Sequence, residues 1–406
     1  MREYGREITH DHYKYNHFIF ITALVLWGVF TISPLLSYYL TLIILSLSPK
    51  IAAFTRRLIG LLIVLSGTVY VASRGYNTAL GDDITYVYYP FYKGIFYGND
   101  YFSTFSGGWE FVIGGLFKLL AISTEHPVDK DIFTTVFVFL PYLLWYVWLE
   151  KFGLTHISPD KKNLCVAASL GIFGLLSLSV QIRQGLSTPI LLLAISYLSQ
   201  SRIKSAFLTV LAICTHLTAI PIYFIIRVFT EASTKFKIIA LGGIAFLVVT
   251  FQFIVGAIVG GNLLGNASFK LIFYTNTQSE GFQILSFFFV LVIMIVASRF
   301  FFDSNKELKG WKSLITWGGI AYLVLLPIPM ASDRLFMVMS IFMMGYLLFL
   351  SFSKVSNIFR ILLILYFIYK FFMNSVFMSA PGNSGGFFFW VNYDWIGDYP
   401  FYFWLK

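Results

Sequence analysis

Residues 58–86 read Leu58-Ile59-Gly60-Leu61-Leu62-Ile63-Val64-Leu65-Ser66-Gly67-Thr68-Val69-Tyr70-Val71-Ala72-Ser73-Arg74-Gly75-Tyr76-Asn77-Thr78-Ala79-Leu80-Gly81-Asp82-Asp83-Ile84-Thr85-Tyr86. From Leu58 to Ser73 there is no charged side chain. As a helix rising about 1.5 Å per residue, such a run approaches the hydrocarbon thickness of a bilayer. At Arg74 the chain turns polar. It carries two adjacent carboxylates, Asp82 and Asp83, then an aromatic run that closes on Gly108-Trp109-Glu110. An apolar run meeting a charged loop in this way reads as a membrane crossing and its exit.

The rest of the chain repeats the pattern. Of its 406 residues 58% are hydrophobic and 12% charged, and the mean hydropathy is +0.78. A soluble protein carries about 25% charged residues. Apolar runs recur from residue 18 to residue 378, so the expected fold class is an all-α polytopic membrane protein. The alternating pattern of an outer-membrane barrel is absent. The net charge of +10 comes mostly from lysines and arginines between apolar runs. That placement points to cytoplasmic loops and not to nucleic-acid binding. Cys165 and Cys214 both lie in apolar runs and read as small core residues. The polar segment 1–16 reads as a cytoplasmic tail with no cleaved signal peptide. Its neighbours His10, His12 and His17 suit a solvated tail better than a metal site.

Two breaks and one parity argument organise the crossings. Phe18–Ser48 is too long for one helix and is interrupted by Ser33-Pro34, which predicts two short helices with a turn at the proline. If every later apolar run crossed fully, Lys151, Lys161, Lys162, Arg202 and Lys204 would fall outside, against the positive-inside rule. Parity is restored if Trp109–Ser123 enters and returns on one side, and if Ser205–Arg227 is a hairpin broken near Thr215-His216 and Pro221. Broken helices are tolerated where they line a cavity or pack within protein, so they point toward a site. Beyond Lys237 simple alternation predicts crossings at 236–256, 282–299, 314–329, 335–352 and 361–378. The total is about 12–13 segments, re-entrant or broken helices included, in a single integral membrane domain over 1–406. Residues 74–108 and 257–281 are expected as external loops, and 379–406 as an aromatic external tail. Tyr86 to Gly98 suits a helix at the headgroup boundary.

The residues that can carry chemistry fall on the external side of this scheme. Asp82 and Asp83 suit a general base or a divalent cation, although Gly-Asp-Asp is also ordinary turn chemistry. Arg183 sits between apolar runs with no acid near it in sequence. It either faces a cavity, where its fork suits phosphate oxygens, or snorkels to headgroups. Arg74 and Arg334 have similar settings. His216 is either a hydrogen-bonded core residue or a base or phosphate donor. Glu110 either favours the start of the helix after it or serves as a second acid. Nucleotide-binding glycine loops, zinc spacings and a Ser-His-Asp signature are all absent. No cytoplasmic stretch is long enough for a nucleotide-sugar domain, so a transferase of this kind draws its donor from the membrane.

At these residues the sequence resembles the EpsG-like branch of the Wzy family, the membrane polymerases of bacterial O-antigens, capsules and exopolysaccharides. The resemblance runs in order through Arg74, Gly81-Asp82-Asp83 with Tyr86, and Glu110-Phe111. It continues through Ile182-Arg183-Gln184-Gly185 and Leu211-Ala212 with His216, and ends on Asp333-Arg334-Leu335. It covers roughly residues 35–350. The family usually has one acid after the glycine, where this chain has two. The resemblance implies a lipid-linked-glycan polymerase at the external face of the inner membrane. Such an enzyme moves a growing glycan from undecaprenyl diphosphate onto an undecaprenyl-diphosphate-linked repeat unit. It needs no nucleotide sugar, cofactor or metal, and its partners are the lipid-linked glycan, a chain-length regulator and a flippase. The early external acid is also similar to the arrangement in GT-C glycosyltransferases. Carried onto this chain, the catalytic candidates are Asp83, Asp82 and His216. The substrate-binding candidates are Arg74, Arg183, Gln184, Arg334, Tyr86 and Glu110. A flippase of lipid-linked glycans, an O-antigen ligase and a non-enzymatic assembly component are the competing classes. Matched internal halves, usual in transporters, are not visible.

Overall fold

The computed structural model describes residues 19–48, 50–72, 83–102, 105–260, 281–303, 305–328 and 331–373. Arg74, Asp82, the 1–16 and 379–406 tails and nearly all of the expected 257–281 loop lie outside these residues. Every regular element among the described residues is a helix. The described chain divides into two compact units, residues 1–219 with 357–406, and residues 220–356.

The first unit opens on α1 (Ile19–Ile32) and α2 (Pro34–Leu47). Ser33 between them is extended and its hydroxyl accepts from Leu36 N–H, while Pro34 fills the first helical position. The Ser37 hydroxyl donates to the Leu26 carbonyl at 3.2 Å. Those residues are eleven apart, a distance of about 16 Å along one helix, so the chain has folded back at the proline as the sequence predicts. Next come α3 (Ala53–Ala72), α4 (Tyr89–Phe96), α5 (Phe111–Ile122) and α6 (Lys130–Trp148), then α7 (Lys162–Gly171), α8 (Leu175–Val180), α9 (Ile182–Tyr197) and α10 (Arg202–Thr215). A five-residue wide turn, Ile84–Tyr88, leads into α4, so the boundary segment expected over 86–98 is helical through most of its length.

Two joints set the frame of this unit. At one end of α3 the Arg56 guanidinium donates to both oxygens of Glu150, just after α6, at 2.9 Å each. Elsewhere Tyr38 of α2 and Tyr142 of α6 both donate to the Leu170 carbonyl in the last turn of α7, at 3.0 and 2.9 Å. Carbonyls at a helix end have no partner in their own helix, and here two phenols supply it. The α4, α5 and α6 helices are joined by aromatic rings in tilted and edge-to-face contact. Phe133 lies 5.2 Å from both Tyr92 and Phe117, and Phe117 lies 4.9 Å from Phe137. The α9 and α10 helices pack along their length, with the Ser187 hydroxyl donating to the Ala212 carbonyl.

The second unit holds α11 (Ala219–Glu231) from Ile220 onward and α12 (Thr234–Gly260). It continues with helices Gly281–Phe300, Gly319–Leu325, Ala331–Met337 and Met344–Ser351. Helix α12 runs four residues past the expected start of the 257–281 loop. The run 335–352, expected as one crossing, is bent by 66° at Met343. The bend comes after a wide turn over Val338–Phe342, where the regular hydrogen-bond ladder is lost.

Among the described residues four helices are long and apolar enough to cross a membrane, or five counting the bent pair. Shorter apolar helices, among them α1, α2 and α5, account for other expected segments. Surface chemistry agrees with lipid as the solvent. On α12, Phe246, Val249 and Phe253 are largely exposed, whereas Ser66, Thr134 and Ser169 are fully buried. The protein is a polytopic helical membrane protein.

Candidate active site

The site lies in the first unit, where two helix breaks and one glycine turn meet. At the glycine turn the backbone takes positive φ at Ser106, Gly107 and Gly108, with Gly108 at +96°. A side chain at Gly108 would be strained by that conformation and would approach the Phe102 ring. The turn delivers Glu110 to the head of α5. The α5 helix is itself held close to the preceding loop, because a Cβ at Gly114 would stand 2.1 Å from the Tyr101 carbonyl oxygen.

The other two parts come from broken helices. Helix α10 stops at Thr215, and His216 is extended, with φ −159° and ψ 126°. This conformation frees the next amide, Leu217 N–H, from helix pairing. Helix α9 begins after Gln181, and Arg183 is its second residue. The break at His216 is where the sequence predicts one, while Pro221 sits within the first turn of α11 and breaks nothing.

Glu110 is the hub of these parts. One of its oxygens accepts from Arg183 Nη1 at 2.5 Å. The other lies 2.6 Å from His216 Nδ1 and accepts from Leu217 N–H at 2.9 Å. The Glu110 side chain is 2% exposed, against 24% for Arg183 and 17% for His216. Arg183 Nε also donates to the Tyr88 hydroxyl at 3.4 Å, and the guanidinium stacks over the Phe105 ring, 5.0 Å from its centre. Glu110 lies outside the long crossing helices. Burial alone would raise the pKa of its carboxyl group. The hydrogen bonds from His216 and Leu217 N–H and the charge of Arg183 outweigh that and hold it below the ordinary carboxylate range. The hub is therefore an anion whose partners stand at the rim.

The expectations for single residues divide accordingly. The structure brings Glu110, Arg183 and His216 together. Neither reading of Glu110 foresaw this: it stands at the head of α5 but makes no capping hydrogen bond with its side chain. The acid that Arg183 lacks in sequence comes from 73 residues away. Gln184 is buried beside Arg183 on α9. Asp83 is half-buried at the start of the wide turn that ends on Tyr88, and Tyr86, on the same turn, is 52% exposed. Arg334 belongs to the second unit, on the helix Ala331–Met337, where its neighbour Asp333 accepts from the Tyr322 hydroxyl at 3.1 Å. Sequence reasoning did not single out Tyr88, Phe105 or the Leu217 amide. The only signal for them is that each adjoins a polar interruption of an apolar run.

Among the described residues no group of three or more His, Cys, Asp or Glu side chains is placed to hold a metal ion. Both cysteines are free thiols. What the arrangement can do is accept a proton at an imidazole and hold an anion at a guanidinium, with one carboxylate anchoring both.

A polytopic helical membrane protein with a charged site of this kind is the class that fold and site define. The chain matches the EpsG family over residues 59–395 and belongs to that family. Its role is accordingly that of a membrane polysaccharide polymerase in the general sense. Neither a curated protein nor a solved structure matches the chain.

Proposed function

We propose that the protein is a lipid-linked-glycan polymerase of the bacterial inner membrane with its active site open to the exterior. It transfers a growing glycan from undecaprenyl diphosphate to an undecaprenyl-diphosphate-linked repeat unit. The observation that carries this reading is the Arg183–Glu110–His216 cluster in a member of the EpsG family. Negative charge grows on the diphosphate as its bond to the sugar breaks, and guanidinium groups suit that charge. Arg183 is assigned to the diphosphate, with Arg334 and Arg74 supporting it. Asp83, Asp82 and His216 are the candidates for the base that takes the acceptor hydroxyl proton. Tyr86 and Gln184 are assigned to substrate contact. The chemistry calls for no nucleotide and no resident metal. A chain-length regulator and a flippase are the fitting protein partners, and nucleic acid is not one.

The test is reconstitution of the purified chain with a lipid-linked repeat unit and no added nucleotide. Polymer is the expected product. In cells, Arg183→Ala should leave single-repeat glycan and no ladder on a gel. Loss of every repeat unit from the surface would indicate a flippase, and polymer stranded on the lipid carrier would indicate a ligase.

A further inference from the structure

The carboxylate at the hub is shared by two groups with different tasks, and its geometry fixes which nitrogen of His216 is available. An ionised carboxylate has no hydrogen to give, so every bond to Glu110 is donated to it. Leu217 N–H and Arg183 Nη1 donate two of them. The third partner, His216 Nδ1 at 2.6 Å, must therefore carry a proton. A neutral imidazole protonated at Nδ1 has its lone pair on Nε2. Among the described residues His216 makes no other side-chain hydrogen bond, and the ring is partly exposed. The charged and titratable groups facing the ring are Glu110 at the head of α5 and, through it, Arg183 of α9 and Tyr88 before α4.

We propose that Glu110 is a positioning residue that holds His216 with Nε2 as the proton acceptor of the transfer reaction, and that the same carboxylate locks Arg183 beside it. This rests on the polymerase reading above and chooses among its candidate bases. In the step, Nε2 takes the proton of the acceptor sugar hydroxyl. The acceptor oxygen forms the new bond to the anomeric carbon of the growing glycan. The bond from that carbon to the diphosphate oxygen breaks, and the electron pair leaves with the lipid diphosphate. The N–H groups of Arg183 that neither Glu110 nor Tyr88 occupies meet that developing charge. The imidazolium formed on His216 lies against the Glu110 carboxylate until it returns its proton to water. Glu110 touches neither sugar nor phosphate and works only through its two partners.

The experiment is a double-substitution cycle on the full chain, reconstituted with lipid-linked repeat unit and followed by polymer formed. His216→Ala should lower kcat by about 10²–10⁴-fold, the usual contribution of a general base. Glu110→Gln should lower kcat by about tenfold or more, with KM for the lipid-linked acceptor changed less than about twofold. In the His216→Ala background Glu110→Gln should cost clearly less than in the wild type, because only the part that passes through Arg183 remains. Full additivity of the two losses would overturn the proposal, as would a Glu110→Gln effect confined to KM. A second measurement needs no variant activity. The nitrogen chemical shifts of ¹⁵N-histidine-labelled protein report the tautomer, with His216 assigned by its disappearance in His216→Ala. The Nδ1–H form at high pH supports the proposal, and the Nε2–H form overturns it. Wild-type protein that makes no polymer removes the polymerase reading itself. Polymer from the wild type with the wrong tautomer or additive losses removes only the role given to Glu110.

Discussion

Glu110 and His216 stand 106 residues apart in the chain and 2.6 Å apart in the fold. The contact joins the head of one short helix to the broken end of another, and the same carboxylate reaches Arg183 at the start of a third. An imidazole and a guanidinium are thereby fixed to one carboxylate. This arrangement and the frame around it lead to four expectations.

Arg183→Lys keeps a positive charge but not the planar fork. Lysine loses the Nε–H that reaches the Tyr88 hydroxyl and the flat face that stacks on Phe105. Polymer formation should fall at least about tenfold, a factor worth ~1.4 kcal/mol of barrier, while the protein still accumulates in the membrane. Ladder length on gels against protein level by blot checks this. Wild-type ladders would show that charge alone suffices at this position.

Glu110 should make stability depend on acid. Its folded-state pKa lies below the ordinary carboxylate value. Its contribution is therefore complete above the unfolded pKa and is lost as pH falls through the lowered folded one. The gap in Tm between wild type and Glu110→Gln, read in detergent, should be widest near pH 7 and shrink on acidification toward pH ~3. A gap independent of pH would mean that the ionised carboxylate contributes nothing to the fold.

Gly114 and Gly115 are neighbours on α5 with opposite surroundings. A Cβ at Gly114 meets the Tyr101 carbonyl, a backbone atom that cannot swing aside, whereas a Cβ at Gly115 meets nothing within 4 Å. Gly114→Ala should destabilise by about 1–3 kcal/mol through overpacking and should displace Glu110 enough to reduce polymer. Gly115→Ala should be neutral or stabilise by up to ~1 kcal/mol, since alanine is the better helix former. Thermal unfolding of the two variants side by side decides the matter.

Arg56 and Arg57 share Glu150 unequally. The Arg56 side chain is 9% exposed and binds both carboxylate oxygens, while that of Arg57 is 65% exposed and lies 3.5 Å from one. Arg56→Gln leaves a buried carboxylate poorly paired and should lower stability by about 3 kcal/mol or more. Arg57→Gln should change it by less than about 1 kcal/mol. Equal effects in thermal unfolding would refute the assignment of Arg56 as the inner partner.

Before folding, the legible features were mostly the places where helices stop. Ser33-Pro34 breaks the first apolar run because proline removes an amide donor and serine caps the helix after it. The Trp109–Ser123 run is too short to cross, and α5 has only 12 residues. The break at His216 was legible from charge parity, since basic flanks on both sides require the chain to return. That same parity placed Glu110, Arg183 and His216 on one side, which is as far as local signals reach. The contacts among them were not legible. Each bond joins segments more than seventy residues apart, and no period or spacing encodes such a pair. The Gly-Asp-Asp turn drew attention to Asp82 and Asp83 because adjacent carboxylates are conspicuous, while Glu110 read equally as a helix-start residue or a second acid. The bend at Met343 escaped for a different reason. Its residues are ordinary helix formers, and the wide turn before it depends on packing.

The paired phenols of Tyr38 and Tyr142 on the Leu170 carbonyl have a consequence beyond their own neighbourhood. A chain that halts among hydrocarbon side chains leaves bare amide oxygen behind, and lipid offers nothing to quiet it. With that oxygen tethered by two aromatic hydroxyls, the chain is at liberty to stop after Gly171, wind one brief helix, and begin afresh at Ile182. Arginine then enters the protein as the second step of a new staircase instead of the midpoint of an unbroken one, which is what lets its head reach sideways to an acid on a different helix.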